Sequence, residues 1–175
     1  MSTLCLSLLR LGDFFHHVHI LNGIEGEVHI LAFDEVKPAA ALFPQYKFHF
    51  IDRGALQFEL VENHRNWKRA VYLLGQSIQK LNKNRFDRVL NLTHTTFAAR
   101  ILDLIAASKK EGLHFDNGRV HGWNPILKYI NDIWREEDAP LMNWVDVTAL
   151  SLGLQEPAVM TAAPNTNLAS AFDQR

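Results

Sequence analysis

Two polar junctions in the sequence carry residue types that could act as a general base or bind a polar ligand. The first, RLGD at residues 10–13, follows the apolar run at residues 4–9. A carboxylate placed there could act as a general base on a hydroxyl group, and a glycine beside it would let a ligand approach the backbone. Asp13 is therefore the candidate base, Gly12 makes room for the acceptor, and Arg10 is a candidate anion-binding residue. The other interpretation of Asp13 is a helix N-terminal cap.

The second junction is the segment NLTHTT at residues 91–96, which follows another apolar run. Hydroxyl, amide and imidazole groups at the end of a strand can form hydrogen bonds with sugar hydroxyls or with phosphate. The candidate substrate-binding residues here are Asn91, Thr93, His94, Thr95 and Thr96. The segment can also be interpreted as the capped start of a helix, in which a threonine accepts from free backbone N–H groups. Both interpretations can hold together.

Two further clusters have a structural and a functional interpretation. Arg53, Arg65, Lys68 and Arg69 could bind acidic groups of an acceptor, or they could form a solvated helix face. Of His16, His17 and His19, His16 and His19 lie one helical turn apart, so chelation is geometrically possible, whereas His17 is expected to point elsewhere. No nearby carboxylate or cysteine completes a ligand set, so we predict no metal site. The four tryptophans fall mostly on helical apolar positions, and core packing is the prediction for Trp67, Trp123, Trp134 and Trp144.

Alternating strand and helix patterns must position these junctions. Apolar runs predict strands at residues 4–9, 27–33, 47–51 and 88–92, and short strands at 113–115 and 119–121 around Asn117-Gly118. Helical spacing predicts helices at residues 11–21, 36–42, 67–81, 97–105, 126–133 and 145–152, with a polar segment at 52–66. This alternation predicts an α/β fold, with a Rossmann-like parallel sheet and helices on both faces. Ligands bind at the carboxyl ends of such strands, where both junctions would lie.

The composition excludes several classes of protein. The chain has 175 residues, of which 47% are hydrophobic and 21% are charged, with a net charge of -1, so it has no global charge suited to nucleic acid. The single cysteine, Cys5, excludes an internal disulfide and is expected to pack as a small apolar residue. A basic leader region and a membrane-length apolar run are both absent, and we expect a cytoplasmic protein. Residues 155–175, rich in Ala, Asn, Thr and Pro, are predicted to be a linker or a tail.

Three segments resemble the lipopolysaccharide heptosyltransferases, glycosyltransferase family 9. They are LSLLRLGDFFHHVHIL at residues 6–21, FDRVLNLTHTTFAARILDLI at 86–105 and NWVDVTALSLGL at 143–154. In order and spacing they are similar to the family's first strand with its Gly-Asp loop, its later strand with a polar turn, and the helix that closes the first domain. The resemblance extends over most of residues 3–154.

The resemblance implies a GT-B architecture, in which an N-terminal domain binds the acceptor and a second domain binds the nucleotide-sugar donor. Residues 1–154 would be the acceptor-binding domain, and residues 155–175 would lead toward the second domain. Asp13 would correspond to the catalytic aspartate of the family. An ADP-sugar, with heptose as the sugar, would be the donor, and neither a metal nor another cofactor is implied. A glycan or lipid-linked acceptor and peripheral association with the inner membrane would follow. Transfer is not expected without a donor-binding half.

Two other interpretations stay open at this stage. The same half-fold could serve as a non-catalytic module that binds a glycan or a protein. A response-regulator-like or flavodoxin-like domain is the second, although Asp13 and Asp34 lack the accompanying Thr and Lys. A half-enzyme would also expose the face that meets its second domain. We therefore predict an apolar surface beside Gly12 and Thr93, covered by a partner or by the tail. The sequence does not determine the oligomeric state.

Overall fold

A five-stranded parallel sheet forms the centre of the molecule. The computed structural model describes residues 1–63, 65–122 and 144–154, and only the backbone of residues 144–147. The strands are β1 (Ser2–Ser7), β2 (Glu27–Phe33), β3 (Lys47–Ile51), β4 (Phe86–Asn91) and β5 (Ala107–Gly112). Their order across the sheet is β3-β2-β1-β4-β5, and every neighbouring pair is parallel.

The helices lie on both faces of this sheet. They are α1 (Leu11–Leu21), α2 (Lys37–Ala40), α3 (Arg53–Gln57), α4 (Trp67–Leu81), α5 (Thr96–Leu104) and α6 (Trp144–Ser151). A short 3-10 turn (Asp34–Val36) precedes α2, and a π-helix (Phe58–Glu62) continues α3. Two short antiparallel strands, β6 (His114–Asp116) and β7 (Arg119–His121), form a separate hairpin.

Alternate residues of the central strands belong to two hydrophobic cores, one on each face of the sheet, because successive side chains point to opposite faces. Leu4 and Leu6 of β1 face α4 and α5, where they join Ile78 and Ile101 in one cluster. Cys5, between them in sequence, faces α1 and is fully buried, as predicted. The near-continuous apolar runs of the sequence thus correspond to strands that are covered on both sides.

The strand order distinguishes between the fold classes considered from the sequence. An order of 3-2-1-4-5 is the Rossmann-like arrangement, whereas flavodoxin-like and response-regulator domains have the order 2-1-3-4-5. The predicted Rossmann-like class is therefore confirmed, and the flavodoxin-like alternative is wrong. The predicted hairpin around Asn117-Gly118 is also present, with both turn residues at positive φ.

Three features differ from the sequence-based predictions. Strand β5 was not predicted, because its sequence ASKKEG has no apolar run. It carries two adjacent lysines and a glutamate, and it lies at the edge of the sheet. The predicted polar segment at 52–66 contains α3 and the π-helix. Trp67 is 61% exposed, which corrects the prediction that it packs in the core.

The remaining elements agree with the predictions where the structure describes them. The helix predicted at residues 145–152 is α6, which packs against α1. The helix predicted at 126–133, the residues Trp123 and Trp134, the Trp144 side chain and the segment 155–175 all lie outside the described part of the chain. Among the described residues, no helix combines the length and the apolar character needed to cross a membrane.

Candidate functional site

The crevice between the carboxyl ends of β1 and β4 is the candidate site. The chain leaves β1 toward β2 on one side and leaves β4 toward β5 on the other, so the connections diverge at this point of the sheet. Such a point leaves an opening above the strand ends, where ligands bind in open α/β sheets. Both junctions singled out in the sequence lie here, one after each strand.

Thr93 connects the two junctions through hydrogen bonds. Its side-chain oxygen accepts a hydrogen bond from the backbone N–H of Leu8 at 2.8 Å and donates to the carbonyl oxygen of Leu6 at 3.2 Å. Leu92 N–H donates to the same carbonyl oxygen at 3.1 Å. Thr93 is fully buried. These contacts fix the position of the β1 loop relative to the β4 loop, so Thr93 acts as a structural connection between them.

Asn91 connects the end of β4 to the segment after β5 in the same way. Its side-chain amide donates to the carbonyl oxygen of Leu113 at 2.7 Å, and its side-chain oxygen accepts from the N–H of Thr93 at 2.9 Å. Gly112 lies against it with a φ of +91°, and a Cβ atom there would come within 2.5 Å of the Asn91 carbonyl oxygen. A glycine is therefore required at position 112.

Asp13 occupies the third position of α1, beside the crevice. Its carboxylate is half-buried and accepts a long hydrogen bond, 3.3 Å, from the backbone N–H of Arg10. Asp13 is therefore not the N-cap, which is Arg10; it accepts from the N–H of that residue, as the acidic residue of a capping box does. Among the described residues no other group donates to this carboxylate, so its second oxygen accepts no hydrogen bond from that part of the chain.

The neighbours of Asp13 leave space in front of the helix. Gly12 is exposed, and a Cβ atom at this position would have no atom within 4 Å. Arg10 is exposed as well, and its side chain cannot cap the helix because a guanidinium group has no acceptor. The first N–H groups of α1 therefore point into an open region, with the positive end of the helix dipole behind them.

A buried Ser-His contact lies directly beneath this helix start. The Ser7 hydroxyl and Nδ1 of His17 are 2.8 Å apart, and both residues are buried. Burial lowers the pKa of His17 to about 3, helped by the nearby imidazoles of His94 and His16 and opposed by a hydrogen bond to the Leu92 carbonyl. The ring is therefore neutral, and it joins α1 to the ends of β1 and β4.

The remaining residues of the second junction begin α5. Thr95 is the N-cap, and its side-chain oxygen accepts from the N–H of Ala98 at 3.2 Å, whereas Thr96 is exposed. His94 is half-buried, and burial lowers the pKa of its ring. Thr95 therefore has the predicted capping role. Contacts of Thr96 and His94 with substrate stay a prediction.

The four basic residues after β3 separate into two environments. Arg53 forms an ion pair with Glu35 at 3.0 Å, and its guanidinium lies 5.2 Å from the centre of the Phe33 ring. Phe33 in turn stacks on Phe97, in the first turn of α5, so Arg53 lies at the same edge of the sheet as the crevice. The other three, Arg65, Lys68 and Arg69, are exposed near the start of α4.

A cavity of about 390 Å³ opens beside the second junction, at the carboxyl ends of β4 and β5. Its lining includes Asn91, His94, Lys110, His114, Thr148 and Leu152. Asp13 does not line it. Lys110 and His114 were not predicted as site residues. The signal that could have identified them was the strand β5, whose end lies next to Asn91 once the sheet is formed.

A comparison with solved structures relates the fold of this chain to that of a known protein. Neither a family model nor a curated sequence matches the chain. A solved structure of E. coli heptosyltransferase WaaC with ADP matches it with a TM-score of 0.54 and 15% sequence identity. The match covers 93% of this chain but 50% of WaaC, so the chain spans half the length of that enzyme. At this identity the likeness concerns the fold alone: the chain has the Rossmann-like α/β fold found over half the length of WaaC, a GT-B protein.

Proposed function

We propose that this chain is the acceptor-binding half of a glycosyltransferase that transfers a sugar, of the heptose class, from a nucleoside diphosphate to a hydroxyl. The observation that carries the proposal is the position of Asp13, a half-buried carboxylate with one oxygen free of described protein donors, at the crevice of a heptosyltransferase-like sheet. The donor is an ADP-sugar held by a second domain. The acceptor is a glycan or a lipid-linked glycan, met in the cytoplasm at the inner membrane.

In the proposed reaction the acceptor hydroxyl oxygen forms a bond to the anomeric carbon of the donor sugar. The bond from that carbon to the diphosphate breaks, and the diphosphate leaves with the electron pair. The Asp13 carboxylate takes the proton of the attacking hydroxyl. Gly12 leaves room for the acceptor beside this carboxylate, and the start of α1 and Arg10 favour anionic groups on the acceptor. His94 and Thr96 contribute further hydrogen bonds.

A non-catalytic module that binds a glycan or a protein is the second candidate. The observation that favours it is the hydrogen bond from Arg10 N–H to Asp13, which would give the carboxylate a purely structural role at the start of the helix. The two candidates differ in what they predict for Asp13→Asn. A catalytic base is lost in this variant, whereas an amide at the same position still accepts the capping bond.

The test is transfer from an ADP-sugar to short glycan acceptors, with the chain alone and with a donor-binding domain supplied in trans. ADP release and product mass measure turnover, and calorimetry measures acceptor binding. We expect turnover with the donor domain to fall about 10²-fold or more in Asp13→Asn while acceptor binding is kept. The control is Asp52→Asn, since Asp52 caps α3 through the N–H of Ala55 at 2.7 Å and lies outside the crevice. Acceptor binding without turnover in every arrangement would support the non-catalytic module instead.

A further inference from the structure

The apolar stripe of α4 is buried along only half of the helix. Ile78 and Leu81 lie in the core, but Trp67, the first residue of the helix, and Val71, one turn later, are about 60% exposed. The preceding π-helix adds further exposed apolar side chains. We call this set the exposed apolar surface; its members are 46–75% exposed and comprise Phe58, Leu60, Val61, Trp67, Val71 and Tyr72.

Local backbone contacts hold the two parts of this surface together. Asn66 N–H donates to the carbonyl oxygen of Glu59 at 2.7 Å, and Asn63 N–H donates to that of Phe58 at 2.9 Å. Arg65 adopts a positive φ of 57°, which turns the chain sharply into α4. These backbone contacts connect the π-helix to the start of α4.

Cationic groups lie on the same surface. The ammonium group of Lys68 is 5.8 Å from the centre of the Trp67 ring, and the guanidinium of Arg69 is 5.1 Å from that of Tyr72. Helix α4 carries three cationic side chains and no acidic one, although the whole chain has a net charge of -1. Of the two acids on the π-helix, Glu59 accepts a hydrogen bond from Asn63 at 2.7 Å, and Glu62 is exposed.

We infer that the exposed apolar surface docks on an anionic lipid bilayer. A basic amphipathic helix with Trp, Tyr and aliphatic side chains on its free face has the chemistry of membrane-surface binding, since apolar groups enter the acyl boundary and cations meet anionic headgroups. Tryptophan and tyrosine favour the interface because each has an apolar body and a polar tip.

The position of the surface gives docking a consequence for the site. Helix α4 connects the carboxyl end of β3 to the start of β4, so its exposed N-terminal turns lie on the carboxyl side of the sheet, as the crevice does. Docking would bring the crevice close to the headgroups. This last step rests on the proposed function, because a lipid-linked acceptor would then be presented to Asp13. Binding to the bilayer itself does not depend on it.

The experiment measures binding of the 175-residue chain to vesicles. Co-sedimentation is compared between phosphatidylcholine vesicles and vesicles with about one third phosphatidylglycerol, at low and high salt. We expect binding to the anionic vesicles that weakens as salt rises. Val61→Ser with Val71→Ser, and separately Lys68→Glu with Arg69→Glu, should each weaken binding roughly tenfold or more.

Matched controls separate this surface from general apolarity or charge. Leu104→Ser with Leu150→Ser removes two side chains of similar exposure elsewhere, and Lys83→Glu with Arg85→Glu reverses two exposed cations beyond the far end of α4. Both control pairs should bind like the unmodified chain. Circular dichroism melting of every variant verifies the fold.

Fluorescence gives a second readout that does not depend on affinity. Brominated lipids should quench tryptophan emission of the bound chain, and Trp67→Phe should lose most of this quenching while it keeps most of the binding. No binding to anionic vesicles, equal losses in test and control pairs, or self-association through this surface in analytical ultracentrifugation would overturn the inference. Vesicle binding, together with no sugar transfer when the donor-binding domain is supplied, would overturn only the proposed function.

Discussion

The side-chain oxygen of Thr93 accepts a hydrogen bond from the backbone N–H of Leu8 at 2.8 Å, across 85 positions of the chain. This contact joins the two loops that border the crevice, and both of its groups are buried. The geometry of the candidate site therefore depends in part on a hydroxyl group that is itself buried.

Replacing Thr93 with valine should destabilise the protein by about 1–3 kcal/mol, because the buried N–H of Leu8 loses its acceptor. Thr93→Ser keeps the hydroxyl and should lose less. Urea unfolding followed by circular dichroism measures both variants. Equal losses for the two substitutions would show that the methyl group, and not the hydrogen bond, stabilises this junction.

Two glycines near the crevice should respond to alanine in opposite ways. Gly12→Ala adds a methyl group to open space within α1 and should raise the free energy of unfolding by up to about 1 kcal/mol, since alanine favours helix more than glycine does. The same variant should weaken acceptor binding if the acceptor occupies that space. Thermal melting and calorimetry measure the two effects.

Gly112→Ala is the contrasting variant. Its Cβ would meet the carbonyl oxygen of Asn91 at 2.5 Å, and its φ of +91° is strained for alanine. We expect a loss of stability of at least about 1 kcal/mol. A stable Gly112→Ala protein with an unchanged melting temperature would contradict the geometry described for the end of β5.

Asp13→Asn should change stability by less than about 1 kcal/mol, because the capping bond is long, half-exposed and available to an amide as well. Urea unfolding measures this directly. A loss of several kcal/mol would mean that the carboxylate is mainly structural, and it would weaken the role proposed for it in proton transfer.

The buried His17 predicts a loss of stability in acid. Its pKa is lowered by burial from about 6.5 to about 3, so below pH 6.5 the unfolded chain takes up a proton that the folded protein excludes. The stability that His17 contributes is complete above pH 6.5 and is lost as the pH falls toward 3. At pH 4.5 this loss amounts to roughly 2–3 kcal/mol relative to pH 7.

Unfolding of His17→Gln between pH 7 and pH 4.5 tests this prediction, because glutamine does not titrate and the variant should lose less stability in acid than the unmodified protein. His121→Gln is the control, since His121 is exposed on the β6–β7 hairpin and is not one of the groups that shift the pKa of His17. Parallel pH curves for the unmodified protein and His17→Gln would contradict the neutral state of the buried ring.

The sequence was most informative where burial is complete. Strands β1, β2 and β4 are covered on both faces, and their apolar runs predicted them together with the Rossmann-like class. Strand β5 was missed because its Lys109 and Lys110 are exposed, so its pairing with β4 decides its conformation, and local propensity does not. The prediction that Trp67 packs in the core was wrong. Its helical spacing continues the apolar stripe of α4, but the sheet covers this stripe only in the later turns of the helix.

The sequence located the candidate site but did not assign a role to each of its residues. Both junctions were predicted to lie at the carboxyl ends of strands, and in the structure Thr93 joins them. The sequence could not show that Thr93 and Asn91 turn inward, because a polar side chain that binds a ligand and one that joins two loops have the same residue type. Their direct contact with substrate stays a prediction, as do the predicted apolar surface beside Gly12 and the roles of Asp13 and His94.

The long separation between Leu8 and Thr93 also bears on how the protein folds. β1, α1 and β2 are contiguous in sequence and can associate early, but the crevice needs β4 to return across an 85-residue loop, which makes it one of the least local pairings in the sheet. In pulsed hydrogen exchange during refolding, the amide of Leu8 should gain protection after that of Ile30. A newly made chain would therefore acquire its framework first and its binding crevice only once the fourth strand had been synthesised.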